Sequence, residues 1–198
     1  DRLFRRDGEM VERGRLCRLG VNLYGKTLGI IGFGNIGAAV ARRCKAFGMN
    51  VLYNKRTRLS EAEEKAQGIT FADKDDLIRR ADVLSLHTPL TPETKHLIGT
   101  AELSMMKPTA ILINTARGAV VDERALVEAL REKRIAAAGL DVFENNDIPS
   151  PELFAMDNVS LTPHVGTQTY DSRVEMVHEL CDNVLGFLHG DRPISRVN

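Results

Sequence analysis

Three glycines near the start of the chain have the spacing of a phosphate-binding turn. Gly32, Gly34 and Gly37 form a G-x-G-x-x-G pattern after the apolar run at 28–31 and before a stretch of helix formers. In a dinucleotide site the first glycine permits a tight turn, the second lets the backbone approach a pyrophosphate, and the third lets helix and strand pack closely. The helix N-terminus also offers free N–H groups. The pattern predicts a dinucleotide site, with an ordinary strand-to-helix turn as the alternative. The predicted cofactor contacts in this turn are Gly32, Phe33, Gly34, Asn35, Ile36 and Gly37.

A cluster of cations follows the next apolar segment, where the second determinant of the cofactor is expected. In this kind of fold an acidic residue about 20 positions after the glycines bonds the ribose hydroxyls of the adenosine. Here the place holds Lys55, Arg56 and Arg58, and no acid. Because guanidinium groups bind phosphate through paired hydrogen bonds, we expect NADP(H) in preference to NAD(H). A solvated basic turn is the alternative.

Strands and helices must alternate to position these residues. Apolar segments predict strands at 28–31, 49–53, 69–71, 81–87, 110–114, 136–142 and 159–161. Helices are predicted at about 38–47, 61–67, 73–80, 100–105, 122–133 and 170–189, with Ser60, Thr100 and Asp122 as N-caps, and a loop at 143–157. Because the strands are apolar throughout, the pattern predicts an α/β fold whose parallel sheet is covered on both faces.

Composition limits the classes of partner. The 198 residues carry 27 basic and 27 acidic side chains, so bulk charge predicts no nucleic-acid or membrane binding, and we expect no metal site. Cys17, Cys44 and Cys181 are widely separated, as is typical of reduced thiols in a cytoplasmic protein. Because position 1 is Asp rather than Met, we interpret the sequence as a fragment or a trimmed chain.

Further motifs extend over nearly all of the chain from Tyr24 onward. They are the glycine turn, LHTPLTPET at 86–94, MKP at 106–108, INTARG at 113–118, GLDVFE at 139–144, and LTPHVG at 161–166. In this order they resemble the D-isomer-specific 2-hydroxyacid dehydrogenases, particularly the glyoxylate/hydroxypyruvate reductase branch. Each motif alone is modest, but a chance match of the whole set is very improbable.

The resemblance implies a two-domain enzyme of which this chain holds one domain. Residues 25–166 resemble the dinucleotide-binding domain, a doubly wound parallel sheet of Rossmann type. Residues 1–24 resemble the arm or linker helix involved in dimers, so a homodimer through the nucleotide domain is expected. Residues 167–198 correspond to a C-terminal helix that belongs to a substrate domain, whose N-terminal part is absent. We therefore expect the helix at 170–189 to have lost its packing partner.

The resemblance also assigns the chemistry. It implies that Arg117 holds the substrate carboxylate and polarises the carbonyl, that His164 donates and accepts the proton, and that Asp141 holds the nicotinamide carboxamide. Imidazole and guanidinium suit these tasks. The remaining residues implied to line the cofactor are Thr88, Pro89, Thr94, Thr115, Ala116 and Gly166.

One position departs from the family pattern. The family usually has a Glu five residues after the Asp, which bonds the catalytic His; here Asn146 stands at that spacing, followed by Asp147 in place of Pro. Asn146 can orient His164 without supplying charge, or Asp147 or Glu144 swings in, or the protein is a weakened catalyst. We favour the first two, which predict a pH optimum for reduction shifted toward acid.

The expected activity is hydride transfer between NADP(H) and a small 2-keto or D-2-hydroxy acid such as glyoxylate or hydroxypyruvate. Half of the substrate cleft would lie outside this chain, so the chain alone is expected to bind cofactor and turn over little. The alternative is a dinucleotide-sensing, corepressor-like binding protein with weak or no catalysis, which Asn146 keeps open.

Overall fold

A computed structural model describes residues 20–145 and 148–190. Most of the predicted arm at 1–24, as well as Asn146 and Asp147, therefore lies outside the described residues. The chain divides into two compact units, one ending at His164 and the other beginning at Val165. They are described separately.

The first unit is built on a seven-stranded parallel sheet. Its strands are β1 (Thr27–Ile31), β2 (Asn50–Asn54), β3 (Thr70–Phe71), β4 (Val83–Leu86), β5 (Ile111–Asn114), β6 (Ala137–Leu140) and β7 (Val159–Leu161). The spatial order is β3-β2-β1-β4-β5-β6-β7, with every neighbouring pair parallel. The predicted doubly wound α/β fold is confirmed.

Helices join the strands. They are α1 (Asn35–Ala46), α2 (Glu61–Gln67), α3 (Lys74–Arg80), α4 (Thr100–Met105), α5 (Glu123–Arg131) and α6 (Pro151–Ala155), with a 3-10 turn at Gly118–Val120.

Two predictions about the helices are wrong. The segment 143–157 contains α6, because the Ser150 hydroxyl accepts from the backbone N–H of Leu153 and Pro151 suits a first helical position. Thr100 is the first residue of α4 rather than its cap; Gly99 precedes the helix, and its N–H donates to Glu102.

Two buried apolar clusters lie on the two faces of the sheet. Leu28 and Ile30 belong to the cluster that packs against α1, whereas Ile31 belongs to the cluster that includes Leu77 and Leu126. Successive strand residues point to opposite faces, so β1 contributes to both clusters and both faces are covered. This rigid core fixes where the loops at the sheet edge begin.

The second unit consists mainly of α7 (Tyr170–Leu188). The Thr169 hydroxyl caps it by accepting from the N–H of Ser172. At least half of the surface of Val177, Leu180, Val184 and Leu188 is exposed. That this apolar stripe packs on a substrate domain remains a prediction. None of the helices in the described ranges has the length and apolar content needed to cross a membrane.

Candidate functional site

The carboxyl ends of the strands bring the predicted site segments to one edge of the sheet. Paired residues form a single row across five strands: Ile31, Leu86, Asn114, Leu140 and Leu161. Asn54, the last residue of β2, pairs with Ile31 and extends the row to a sixth strand. Each site segment of the first unit, including the cations, therefore begins just after a strand that ends in this row. The strand order reverses between β1 and β4, and ligands of open α/β sheets bind at such switch points.

The glycine turn is packed on one side and open on the other. Gly32 has a φ of +91°, and a Cβ there would lie 2.6 Å from the carbonyl carbon of His87. A Cβ on Gly37 would overlap the carbonyl oxygen of Gly32, whereas a Cβ on Gly34 would meet no atom within 4 Å. Protein packing thus explains the first and third glycines. The second leaves open space where a ligand can approach the backbone.

The first turn of α1 fits an anionic ligand. The residue before the helix is Gly34, which has no side chain to cap the first N–H groups of α1. The first turn also contains no acidic residue. Asn35 and Ile36 are exposed, while the Phe33 ring is buried against Tyr53 with centroids 4.7 Å apart. Phe33 can therefore meet a cofactor only through its backbone.

A buried hydroxyl lies beside the glycine turn. Thr88 Oγ1 has no hydrogen-bond partner within the described ranges, although it is shielded from solvent, and the backbone nitrogen of Thr88 abuts Gly32. An orphaned buried hydroxyl is costly unless a ligand satisfies it. The neighbouring His87 places Nε2 2.9 Å from Ser85 Oγ, and burial lowers the pKa of His87. These residues fit a bound dinucleotide.

The loop after β4 is held by Thr94. Its hydroxyl accepts from the N–H of Thr91 (2.7 Å) and donates to the carbonyl oxygen of Pro89 (2.6 Å). The hydroxyl of Thr94, which was predicted to contact the cofactor, therefore forms hydrogen bonds within the loop. Pro89 itself is exposed.

The three predicted cations after β2 differ in their surroundings. Lys55 is half-buried and Arg56 is exposed. Arg58 donates from Nε and Nη2 to the two carboxylate oxygens of Glu64, at 2.7 and 2.9 Å. Hydrogen bonds from Arg58 and then from the Tyr53 hydroxyl lower the pKa of Glu64 to about 2. Of the three cations, Arg58 is the one with such a paired bond to a carboxylate among the described residues.

Arg117 lies in a loop that Asn114 shapes. The buried amide of Asn114 accepts from the N–H of Ala116 (3.1 Å) and donates from Nδ2 to the carbonyl oxygen of Arg117 (3.0 Å). The Arg117 side chain is exposed and donates from Nη1 to the carbonyl oxygen of Ala116. Thr115 is exposed beside it. The guanidinium therefore stands at the strand-end row, where it can meet an anionic substrate.

Asp141 connects β6 to the segment that carries His164. The Thr162 hydroxyl donates to the Asp141 carboxylate at 2.5 Å, and the His164 N–H donates to the Asp141 carbonyl oxygen at 2.9 Å. His164 is exposed and has a φ of +53°, in the left-handed region that a non-glycine residue rarely adopts. Such strained backbone is concentrated at functional sites. Gly166 belongs to the second unit.

Glu144 is engaged elsewhere than at His164. Its Oε1 lies 2.6 Å from His96 Nε2, and its Oε2 accepts from the N–H of Glu123. This arrangement does not use Glu144 as the substitute partner of His164. Asn146 and Asp147, the other two residues considered as partners of His164, lie outside the described ranges.

Sequence reasoning missed three residues that shape the site. Asn114 could have been found as a polar residue ending an apolar strand, and Thr162 as a hydroxyl in the segment that leads to His164. Glu64 carries no such signal, because it is one of several glutamates in α2. Only the fold brings its carboxylate to Arg58.

Comparisons with known proteins agree with this geometry. Residues 2–166 match the model of the D-isomer specific 2-hydroxyacid dehydrogenase, NAD binding domain. A glyoxylate reductase of Thermococcus onnurineus (strain NA1) is 50% identical over 199 residues, covering 98% of this chain and 59% of the relative. A glyoxylate reductase of Aeropyrum pernix is 51% identical over 184 residues, covering 92% of this chain and 55% of the relative. The chain thus spans little more than half the length of these relatives.

Solved structures show the same fold. A glyoxylate reductase from Paecilomyes thermophila superposes with a TM-score of 0.90 at 38% identity, over 99% of this chain and 60% of that one. D-lactate dehydrogenase with NAD+ from Lactobacillus jensenii superposes with a TM-score of 0.87 at 36% identity, over 100% and 64%. The family resemblance is confirmed: the chain belongs to the D-isomer specific 2-hydroxyacid dehydrogenases and carries their NAD binding domain.

Proposed function

We propose that the full-length protein transfers a hydride between NADP(H) and a small 2-keto or D-2-hydroxy acid such as glyoxylate or hydroxypyruvate. The observation that carries the proposal is the row of strand ends from Ile31 to Leu161. It sets the glycine turn, the Arg117 loop and the His164 segment at one edge of the sheet. The nearby relatives named glyoxylate reductase support the same substrate class.

Within this proposal each residue has a task at a stated group. The bound cofactor supplies the hydride. The Arg117 fork binds the substrate carboxylate and draws electron density from the carbonyl oxygen. His164 donates a proton to that oxygen in reduction and takes it back in oxidation. Asn146 orients the imidazole without adding charge.

The preference for NADP(H) rests on the loop after β2. Lys55 and Arg56 stand where an acid would bond the ribose, and a 2′-phosphate there would meet cations instead. An acidic residue at that place would favour NAD(H). The neighbour solved with NAD+ supports a nicotinamide cofactor in general.

The experiment is to mix the full-length protein with NADPH or NADH and a panel of 2-keto acids, and to follow the absorbance of the reduced cofactor. We expect glyoxylate or hydroxypyruvate to be reduced, with kcat/KM higher for NADPH. Binding of the cofactor without turnover of any 2-keto acid would overturn the enzymatic proposal and favour a dinucleotide-sensing protein.

Two further proposals concern the protein's state. We propose a cytoplasmic location, since the thiols of Cys44 and Cys181 are unbridged, and a homodimer formed through the nucleotide domain. Light scattering of the full-length protein tests the second proposal. A monomer at micromolar concentration would contradict it.

A further inference from the structure

The loop that follows β2 contains an ion pair of unequal exposure. The Glu64 side chain is 10% exposed, whereas the Arg58 side chain is 54% exposed. Glu64 lies on α2, six residues after Arg58, and its carboxylate also accepts from the hydroxyl of Tyr53 at 2.7 Å. The Arg58 guanidinium thus lies at the surface, whereas the Glu64 carboxylate that it contacts is nearly buried.

The guanidinium is held on two sides. Nε and Nη2 form parallel hydrogen bonds to Glu64, and Cζ lies 5.2 Å from the centroid of the Phe71 ring. The backbone beside Arg58 is held as well, because the N–H of Leu59 donates to the same Tyr53 hydroxyl at 3.0 Å. A long side chain that normally samples many rotamers is therefore fixed before any ligand arrives.

One edge of the fixed group is left for a ligand. Nη1 of Arg58 has no hydrogen-bond partner within the described ranges, while Nε and Nη2 are both used by Glu64. Arg58 lies in the loop in which the ribose of the adenosine is read. An arginine can bind a carboxylate along one edge and an anion along another, because its five donors form a planar fork.

We propose that Glu64 is a positioning residue for recognition of the 2′-phosphate of NADP(H), acting by holding the Arg58 guanidinium with Nη1 directed to the phosphate. The inference rests on the proposed preference for NADP(H). Lys55 and Arg56 supply further positive charge, and the Glu64–Arg58 pair fixes the orientation of the guanidinium. The opposite reading, in which Glu64 competes with the phosphate for Arg58, predicts the reverse effect of removing the carboxylate.

The experiment measures binding of adenosine 2′,5′-bisphosphate and of 5′-AMP to this chain by calorimetry, since the two ligands differ only in the 2′-phosphate. Glu64→Gln should weaken the bisphosphate about tenfold and leave AMP unchanged, because charge-assisted paired bonds orient the fork. Glu61→Gln is the matched control: it removes the same charge from an exposed position of α2. It should leave both affinities within about twofold.

Glu64→Asp keeps the charge but shortens the side chain, so that the carboxylate no longer reaches the Arg58 guanidinium in the same position. It should weaken binding of the bisphosphate by a similar factor. It decides the matter if circular dichroism shows that Glu64→Gln does not fold. Unchanged or tighter binding of the bisphosphate by the folded variants overturns the inference alone. Equal affinity of the unmodified chain for the two nucleotides overturns the NADP(H) preference, and the inference with it.

Discussion

The buried amide of Asn114 holds the backbone of Arg117, with Nδ2 donating to its carbonyl oxygen over 3.0 Å. The same amide accepts from the N–H of Ala116. Asn114 is 1% exposed and ends β5, so the rigid sheet is connected directly to the loop that presents the guanidinium. Placement of the Arg117 backbone therefore depends on a side chain buried at the end of β5.

Asn114→Ala should lower both stability and activity. It leaves the N–H of Ala116 without its acceptor and removes one of two donors to the carbonyl oxygen of Arg117, which keeps the N–H of Val120. We expect a cost of about 1–3 kcal/mol in the free energy of unfolding. We expect kcat/KM for the 2-keto acid to fall about 100-fold as Arg117 is misplaced. Urea denaturation and steady-state kinetics measure the two effects.

Asn158→Ala is the matched control. Its Nδ2 also donates to a backbone carbonyl, that of Ala136, but at the opposite end of the sheet. It should leave kcat/KM within about twofold. Equal kinetic losses in the two variants would show that Asn114 has no special connection to Arg117.

The second and third glycines of the turn, Gly34 and Gly37, should respond differently to alanine. Gly34→Ala meets no protein atom within 4 Å, so Tm should stay unchanged while the Kd of the cofactor rises about tenfold, since the methyl group occupies the ligand's approach. Gly37→Ala overlaps the carbonyl oxygen of Gly32 and should cost about 1–3 kcal/mol of stability. Differential scanning calorimetry measures the stability of both variants, and titration with cofactor measures their Kd. A normal Kd in a folded Gly34→Ala variant would place the pyrophosphate elsewhere.

The Glu64–Arg58 pair should make stability depend on pH in acid. Hydrogen bonds lower the pKa of Glu64 from 4.5 to about 2. The pair's contribution is therefore fully present above about pH 4.5 and is lost as the pH falls toward 2. The difference in unfolding free energy between the unmodified chain and Glu64→Gln should shrink over that range. A difference that stays constant from pH 5 to about pH 2 would mean that the carboxylate is not stabilised by these bonds.

The pH profile of reduction tests the role proposed for Asn146. If position 146 serves His164 as proposed, Asn146→Glu supplies the carboxylate usual in the family and should extend activity about one pH unit toward alkaline conditions, because an anion beside the ring favours its protonated form. Asn145→Glu adds the same charge one residue earlier and should leave the profile in place. Coincident profiles for the unmodified enzyme and Asn146→Glu would contradict the proposal.

Local signals in the sequence predicted much of the fold. Ser60 and Glu63 cap each other's backbone N–H groups at the start of α2, and Gly68 ends that helix with a φ of +60°. All three residues lie within nine positions, so their chemistry is readable in the sequence. Ser150 followed by Pro151 is the same kind of signal and marks the start of α6. It was outweighed by the loop-like composition of the surrounding segment, which is why the helix was not predicted.

The site was only partly predictable, because several of its properties arise from tertiary contacts. Arg58 was predicted as one of three cations for a cofactor phosphate, and its pairing with Glu64 depends on how α2 packs beside β2. Likewise, the left-handed backbone of His164 and the bond of its N–H to the Asp141 carbonyl oxygen are visible only in the folded chain. Sequence patterns name such residues without showing which groups they meet.

The central claim is hydride transfer from the reduced cofactor to C2 of a 2-keto acid. The direct measurement supplies the full-length protein with NADPH deuterated at both C4 positions of the nicotinamide and with hydroxypyruvate, and analyses the product by mass spectrometry. We predict a 2-hydroxy acid carrying one deuterium at C2. Bound cofactor with no deuterated product, across hydroxypyruvate and glyoxylate, would contradict the claim.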